Sequence, residues 1–150
     1  MTQQRATYAQ AGVDVESGER AVELMRASIV ASSRPEVVGD FGGFAGLFDI
    51  SAAKSMRKPL LATSTDGVGT KIAVARALDI HHTVGLDLVA MVVDDLVVCG
   101  AEPLFMTDYI AVGSVNPERI ARIVSGIARG CELAGCSLVG GETAEHPGLM

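Results

Sequence analysis

The chain has 150 residues, which is the size of one domain and is long enough to bury a hydrophobic core. Apolar residues make up 49% and charged residues 20% of it, a composition that excludes a disordered polypeptide and favours a globular fold. The net charge of -6 disfavours nucleic acid as a partner, because neutralising phosphates requires clustered Lys and Arg. Nucleotides remain compatible with this charge, since backbone N–H groups and a metal ion can hold their phosphates.

The sequence predicts a cytoplasmic protein that has no membrane partner. Residues 1–14 are polar and lack the hydrophobic region of a signal peptide. The longest nearly apolar stretch, Val84–Gly100, contains three Asp residues, which argues against a membrane span. The three cysteines, Cys99, Cys131 and Cys136, form no CxxC pair and are interpreted as core thiols in a reducing compartment.

The first half of the chain is predicted to contain an arm, two helices, a glycine loop and a strand. Residues 1–15 look irregular, and apolar residues then recur at helical spacing from about residue 16 to 31. The elements that follow are a glycine-dense loop at 39–46, a strand at 59–64, a turn at 65–71 and a helix at about 70–78.

The second half is predicted to alternate helix and strand. A long helix over 83–99, which we expect to be largely buried, ends at Gly100, and a strand occupies 103–112. The best-specified helix follows Asn116, a favoured N-cap, has Pro117 in its first turn and ends at Gly135. A strand over 136–139 then leads into a Gly-Gly-Glu-Thr segment. Residues 16–150 are thus expected to form one α+β domain with helices on a sheet.

The last residues, 146–150, contain neither a helix cap nor a closing strand. The end of the chain therefore looks cut rather than finished.

The segment from Ser64 to Lys71 is the first candidate for binding chemistry. It places the carboxylate of Asp66 after a strand, two glycines where backbone can approach a ligand, and Thr70 with Lys71 at the start of a helix. Such a turn can hold a metal-bound phosphate, although its spacing is not that of a Walker A motif. A tight turn with an exposed lysine is the alternative.

Three acids on the long helix form the second candidate. Asp87 and Asp94 lie within about 20° of one helix face and roughly 10 Å apart, whereas Asp95 points about 80° away from Asp87. Carboxylates on an apolar helix need partners, and Mg²⁺ prefers carboxylate oxygens. The alternative is that they cap backbone groups or face solvent.

The remaining candidates are weaker. The Gly140–Thr143 segment combines glycines and a carboxylate at a predicted strand end, and the 39–46 loop could offer backbone N–H groups to phosphates or be only a flexible turn. His81 and His82 are interpreted as a solvated turn, and no Ser/His/Asp triad or zinc motif occurs.

Taken together, these segments resemble the aminoimidazole ribonucleotide synthetase family. The resemblance covers essentially the whole chain, and its most specific parts are DGVGTK and GGETAE. One departure is Asp94, where many members of the family carry Asn. The matching segments are Tyr8-x-x-Ala-Gly-Val-Asp14, Gly42-Gly43-Phe44, Thr65–Lys71, Asp95–Pro103, Gly130–Cys136 and Gly140–Glu145.

The resemblance implies a cytoplasmic enzyme of purine biosynthesis that uses ATP and Mg²⁺ to cyclise formylglycinamidine ribonucleotide, releasing ADP and phosphate. It also implies an α+β fold with a four-stranded mixed sheet covered by helices, and a homodimer in which two such sheets meet face to face. The nucleotide sites would lie near that interface. A carboxyl-terminal domain would complete the site, so the isolated domain is expected to be inactive.

By similarity, the family's metal-binding role falls on Asp66 and Asp95, and also on Glu142. Lys71 and Asp95 are the expected catalytic residues. The full set expected to bind the cofactor is Gly42, Gly43, Asp66, Gly67, Gly69, Thr70, Lys71, Asp95 and Glu142.

Two alternatives stay open. The chain could belong to another kinase or synthetase of the same superfamily, such as selenophosphate synthetase, although the Cys or selenocysteine expected before the glycine loop of that enzyme is absent. It could also be an inactive fragment that only dimerises and binds nucleotide. An assay of turnover with formylglycinamidine ribonucleotide separates both alternatives from the cyclisation activity that the resemblance implies.

Overall fold

The structure is a computed structural model that describes residues 7–150, so the first six residues of the predicted arm lie outside the described part. Within the arm, Ala9–Ala11 form one short 3-10 turn. The chain then forms four helices and four strands. They are α1 (Val15–Ala31), β1 (Val37–Val38), β2 (Leu47–Phe48), α2 (Lys71–Leu78), α3 (His82–Val98), β3 (Phe105–Val112), α4 (Pro117–Ala134) and β4 (Ser137–Glu145).

Local sequence signals define the ends of the helices. Asp14 caps α1 by accepting a hydrogen bond from the Ser17 N–H at 3.1 Å. Asn116 caps α4 by accepting one from the Arg119 N–H at 2.8 Å, and Gly135 ends that helix with a left-handed φ of 71°. The four predicted helices are therefore confirmed, with ends within a few residues of those expected.

Helix α4 is the centre of the core. It packs against α1 on one side and α3 on the other, and its buried face carries Ile120, Val124, Ile127 and Cys131. These positions recur at spacings of three and four, which is the pattern of one helix face. The rest of the core consists of Ala21, Met25, Val89, Cys136 and Leu138.

Strands β3 and β4 are parallel neighbours connected through α4. Alternation along β3 directs Met106, Ile110 and Val112 toward the helices, whereas Phe105 and Tyr109 are exposed on the other face. A β-bulge interrupts the register after Met106. The predicted strand at 136–139 is longer than expected, so the Gly140–Thr143 segment lies within a strand and not at its end.

Polar contacts join distant parts of the chain around this core. The Glu145 carboxylate accepts hydrogen bonds from the Asp14 N–H at 3.1 Å and from the Val115 N–H at 2.6 Å. The Arg34 N–H donates to Ser137 Oγ at 2.8 Å. The start and end of α1 are thereby tied to β4 and to the loop before α4.

The α+β class is confirmed, but residues 7–150 form two sheets of two strands and no four-stranded sheet. The strand predicted at Pro59–Ser64 is wrong for this chain, because the segment is extended without a neighbouring strand to pair with. Leu60 and Leu61 are 80% and 81% exposed. A lone strand leaves its backbone hydrogen bonds unpaired, and apolar alternation alone does not reveal whether a partner is present.

Three further expectations about burial are corrected. Helix α3 is buried only in its first half, and Val98 near its end is 82% exposed. His81 is buried and not solvated, and its Nε2 lies 2.9 Å from Asp79 Oδ1 at the junction of α2 and α3. Cys99 is exposed, whereas Cys131 and Cys136 are core thiols as predicted.

No helix within residues 7–150 combines the length and the apolar character needed to cross a bilayer.

Candidate functional site

The turn before α2 places Asp66, Gly67, Gly69, Thr70 and Lys71 together on the surface. Gly69 has a φ of +57°, a left-handed conformation that glycine adopts without strain. The Gly67 N–H donates to Asp66 Oδ1 at 2.6 Å. Thr70 occupies the N-cap position of α2, yet its hydroxyl makes no capping hydrogen bond. The turn therefore presents a carboxylate and a hydroxyl at a helix start, where anions are favoured.

Asp95 lies on α3 beside the residues that precede this turn. Its Oδ2 accepts a hydrogen bond from Ser64 Oγ at 2.7 Å. It lines an open cavity of about 420 Å³ whose other walls come from the end of α3 and from Ala62, Ser64 and Thr65. Asp66 follows Thr65 directly in the chain but does not itself line this cavity.

Lys71 faces α3 at the first turn of α2. Its Nζ lies 3.5 Å from Asp87 Oδ1, and both side chains are half exposed. An ion pair of this exposure contributes little to stability, so the ammonium can exchange its partner for a ligand at little cost. Asp87, which the sequence grouped with Asp94 and Asp95, is thus a partner of Lys71.

Gly42, Gly43 and Glu142 lie at a different cavity. This cavity has a volume of about 600 Å³, is enclosed by α1, the loop at 37–47 and β4, and shares no lining residue with the smaller one. The predicted cofactor-binding residues therefore fall into two groups within one chain: the turn with Asp95, and the glycine loop with Glu142.

The carboxylates fit Mg²⁺ in part. Asp66 and Asp95 offer hard oxygen ligands beside hydroxyl groups, and Mg²⁺ is commonly held by one or two carboxylates together with substrate phosphates. Glu142 is not grouped with them, and within residues 7–150 no cluster of three or more His, Cys, Asp or Glu side chains is placed to hold a metal.

Sequence analysis missed Asp108, a carboxyl group that lines the larger cavity from β3. Its Oδ2 is shielded from solvent and has no hydrogen-bond partner within residues 7–150. Burial raises the pKa of this carboxyl to about 6. The available signal was an acid on the inward side of a strand, between Met106 and Ile110, where apolar side chains are expected.

The larger cavity has the size and the few convergent polar groups that are typical of small-molecule sites. Residues 45–149 match the family described as AIR synthase related protein, N-terminal domain. The chain belongs to this family, which confirms the resemblance stated from its motifs.

Several curated relatives are named phosphoribosylformylglycinamidine cyclo-ligase. The phosphoribosylformylglycinamidine cyclo-ligase of Leptospira interrogans is 51% identical over 148 residues, which are 99% of this chain and 43% of the relative. Those of Geobacillus thermodenitrificans and Thermosynechococcus vestitus are 58% and 59% identical over 142 residues, 95% of this chain and 41% of each relative. The chain thus spans about two fifths of the length of these relatives.

Proposed function

We propose that the chain is the ATP-binding part of a phosphoribosylformylglycinamidine cyclo-ligase of purine biosynthesis. The observation that carries the proposal is 50–59% identity to proteins of that name over nearly the whole chain. In the proposed reaction, ATP phosphorylates the amide oxygen of formylglycinamidine ribonucleotide, which makes that carbon electrophilic. An amidine nitrogen attacks it, and phosphate leaves with the oxygen while the imidazole ring closes.

The turn at 66–71 and Asp95 are proposed to bind ATP. Thr70 and Lys71 would contact phosphate oxygens, with Lys71 exchanging Asp87 for a phosphate. Asp66 and Asp95 would hold Mg²⁺, which when bound neutralises charge on the transferring phosphoryl group. Gly42, Gly43 and Glu142 would line the part of the site that binds the ribonucleotide. Glu142 would reach the metal only when the larger cavity and the Asp95 region are closer together than they are within one chain.

We also propose that the protein acts as a homodimer in the cytoplasm. The exposed apolar side chains of Phe105 and Tyr109 support an interface on the outer face of β3, and Leu60 and Leu61 add exposed apolar surface in the segment before α2. The three free cysteines are compatible with a reducing compartment.

A chimera tests the function directly. In it, this chain replaces the matching segment of the Geobacillus thermodenitrificans relative, and the product is assayed for ATP-dependent formation of aminoimidazole ribonucleotide. We expect turnover that depends on Mg²⁺. Activity toward another phosphate acceptor in place of this substrate would favour a different kinase or synthetase of the superfamily.

The variant Asp95→Asn tests the ATP site in the same chimera. Removing one ligand charge should abolish turnover and weaken Mg²⁺-dependent ATP binding, while the circular dichroism spectrum stays unchanged. Asp94→Asn is the matched control, because it removes the neighbouring exposed charge and leaves Asp95 in place. Normal Mg²⁺-dependent ATP affinity in Asp95→Asn would refute the role of Asp95 as a metal ligand. If the 150-residue chain binds ATP but the chimera shows no turnover, the chain would be interpreted as a nucleotide-binding module.

A further inference from the structure

Asp108 has an unusual environment for a carboxyl group. It lies on the helix-facing side of β3 among apolar neighbours, and its Oδ2 has no hydrogen-bond partner within the described residues. Leaving a buried acceptor unsatisfied is costly, and such groups in native proteins commonly have a ligand or a functional role.

The neighbouring strand makes room for this carboxyl group. Gly141 is the register partner of Asp108 on β4, and a Cβ atom at Gly141 would overlap Asp108 Oδ1. A side chain at position 141 would therefore force the Asp108 carboxyl group to shift from its present position. The acid is therefore accommodated by the sequence of β4, in the segment that also carries Glu142.

The charges around the cavity favour a cationic ligand. Arg34 lines it, but its guanidinium is engaged with Glu36 at 3.1 Å and Glu102 at 3.5 Å. The other titratable side chains on the lining are the acids Asp40 and Glu142. On the α4 side the thiol of Cys131 is a neighbouring titratable group of Asp108, and it supplies no positive charge. A ligand group with N–H donors and a positive charge fits this set, whereas a phosphate would meet like charges.

We propose that Asp108 binds the amidine group of the ribonucleotide substrate in the larger cavity. This inference rests on the proposed function, which supplies a substrate with an amidine at one end and a phosphate at the other. An amidinium is planar and presents N–H donors that a carboxylate oxygen can accept, and Asp108 would turn its shielded Oδ2 toward the cavity to accept one. The cavity volume of about 600 Å³ suits a small molecule, and the glycine loop with Gly42 and Gly43 forms its wall.

The orientation of the substrate follows from this contact. The amidine end enters between α1 and β4 and the phosphate end stays outside, because the acids of the cavity repel it. The nitrogen that attacks in ring closure is thereby held by β3, independently of the groups that bind ATP.

The binding test uses acetamidinium as the probe and the 150-residue chain. Saturable binding is followed by NMR through the amides of residues 140–143 and the side-chain carboxyl carbon of Asp108. We expect acetamidinium to bind at least tenfold more tightly than acetamide, which has nearly the same shape without the charge. Asp108→Asn should weaken acetamidinium binding at least tenfold, whereas Asp40→Asn, which removes an exposed acid of the same cavity, should not.

A measurement on the wild-type chain makes the test independent of how the variants fold. Binding of a cation should lower the titration midpoint of the Asp108 carboxyl from its value of about 6. An unchanged midpoint at saturating acetamidinium, or equal affinity for acetamide, would overturn the proposal.

Kinetics in the chimera separate this inference from the proposed function. Asp108→Asn should raise the KM for formylglycinamidine ribonucleotide at least tenfold and leave the KM for ATP unchanged. An active chimera with an unaltered substrate KM in Asp108→Asn would refute the amidine contact alone. An inactive wild-type chimera, together with acetamidinium binding through Asp108, would refute the cyclo-ligase function and retain the amidine site.

Discussion

At the scale of single residues, the burial of Asp108 reduces stability at neutral pH. Its pKa rises from an ordinary 3.8 to about 6 because the carboxyl is buried. The folded state therefore binds this proton more tightly than the unfolded state does, and stability is lost as pH rises from about 4 to about 6. The shift corresponds to roughly 3 kcal/mol at neutral pH, as an order of magnitude.

The variant Asp108→Asn should accordingly be more stable than wild type at pH 8, by about 1–3 kcal/mol, and nearly equal to it at pH 3.5. Urea unfolding at the two pH values measures the difference. A stability gain of the same size at both pH values would show that the charge of Asp108 is not its cause.

Lys71 tests the catalytic assignment of the turn. In the active chimera, Lys71→Met should lower kcat far more than it raises the KM for ATP, because charge balance on the phosphoryl group matters most in the transition state. Asp87→Asn is the control, since it breaks the same 3.5 Å ion pair but keeps the lysine. Wild-type kcat in Lys71→Met would leave Lys71 as an ordinary surface lysine whose loss changes stability by about 0.5 kcal/mol or less.

The two kinds of site residue differ in how visible they are in sequence. The turn with Asp66 and Lys71 is recognisable because its glycines, acid and lysine are adjacent in the chain. Asp108 was missed because its significance depends on Gly141, its register partner on β4. A segment of 24 residues separates the end of β3 from the start of β4. Pairing across a sheet is not encoded in local spacing.

At the scale of elements, glycines set the distance between α3 and α4. A Cβ atom at Gly126 would clash with the backbone carbonyl oxygen of His82, and one at Gly85 would lie 2.6 Å from the Ile127 backbone nitrogen. Both glycines are buried, so neither backbone can retreat toward solvent.

Gly126→Ala should therefore destabilise the protein by about 1–3 kcal/mol or more, because the two helices must separate. Gly18→Ala is the matched control: Gly18 also lies within a helix, but its added Cβ meets nothing within 4 Å. That change should stabilise the protein by roughly 0.5–1 kcal/mol through helix propensity. Thermal or urea unfolding measures the free energy of unfolding of both variants. Equal effects of the two changes would contradict the close packing of α3 against α4.

Helices were predictable to a greater extent than sheets. The caps at Asn116 and Gly135 and the apolar face of α4 are local signals, and they located that helix closely. The strand expected at Pro59–Ser64 failed because strand formation depends on a partner, which residues 7–150 of a single chain do not provide for it. A sheet completed by another polypeptide cannot be told from an incomplete one by its sequence pattern.

At the scale of the whole molecule, the exposed side of the sheet predicts self-association. Apolar side chains that a second copy can cover are exposed at Phe105 and Tyr109 on β3 and at Leu61 in the segment before α2. We expect the chain to sediment as a dimer at micromolar concentration. Leu61→Arg should shift it to monomer, whereas Leu133→Arg, at an exposed position on α4, should not.

A single sedimenting species at the mass of one 15.5 kDa chain would argue against the dimer. Dimerisation that persists in Leu61→Arg but is lost in Leu133→Arg would place the interface on the helix layer instead.

The hydrogen bonds from Asp14 and Val115 to Glu145 have a consequence for how the protein folds. Helix α1 leaves the ribosome before its packing partner α4 and its anchor on β4 have been made. The nascent chain must hold the apolar face of α1 unpaired while about a hundred further residues are made. Contacts of such long sequence separation slow folding, so α1 is expected to dock late, and synthesis that stops before Glu145 would release a chain whose first helix has no stable place to bind.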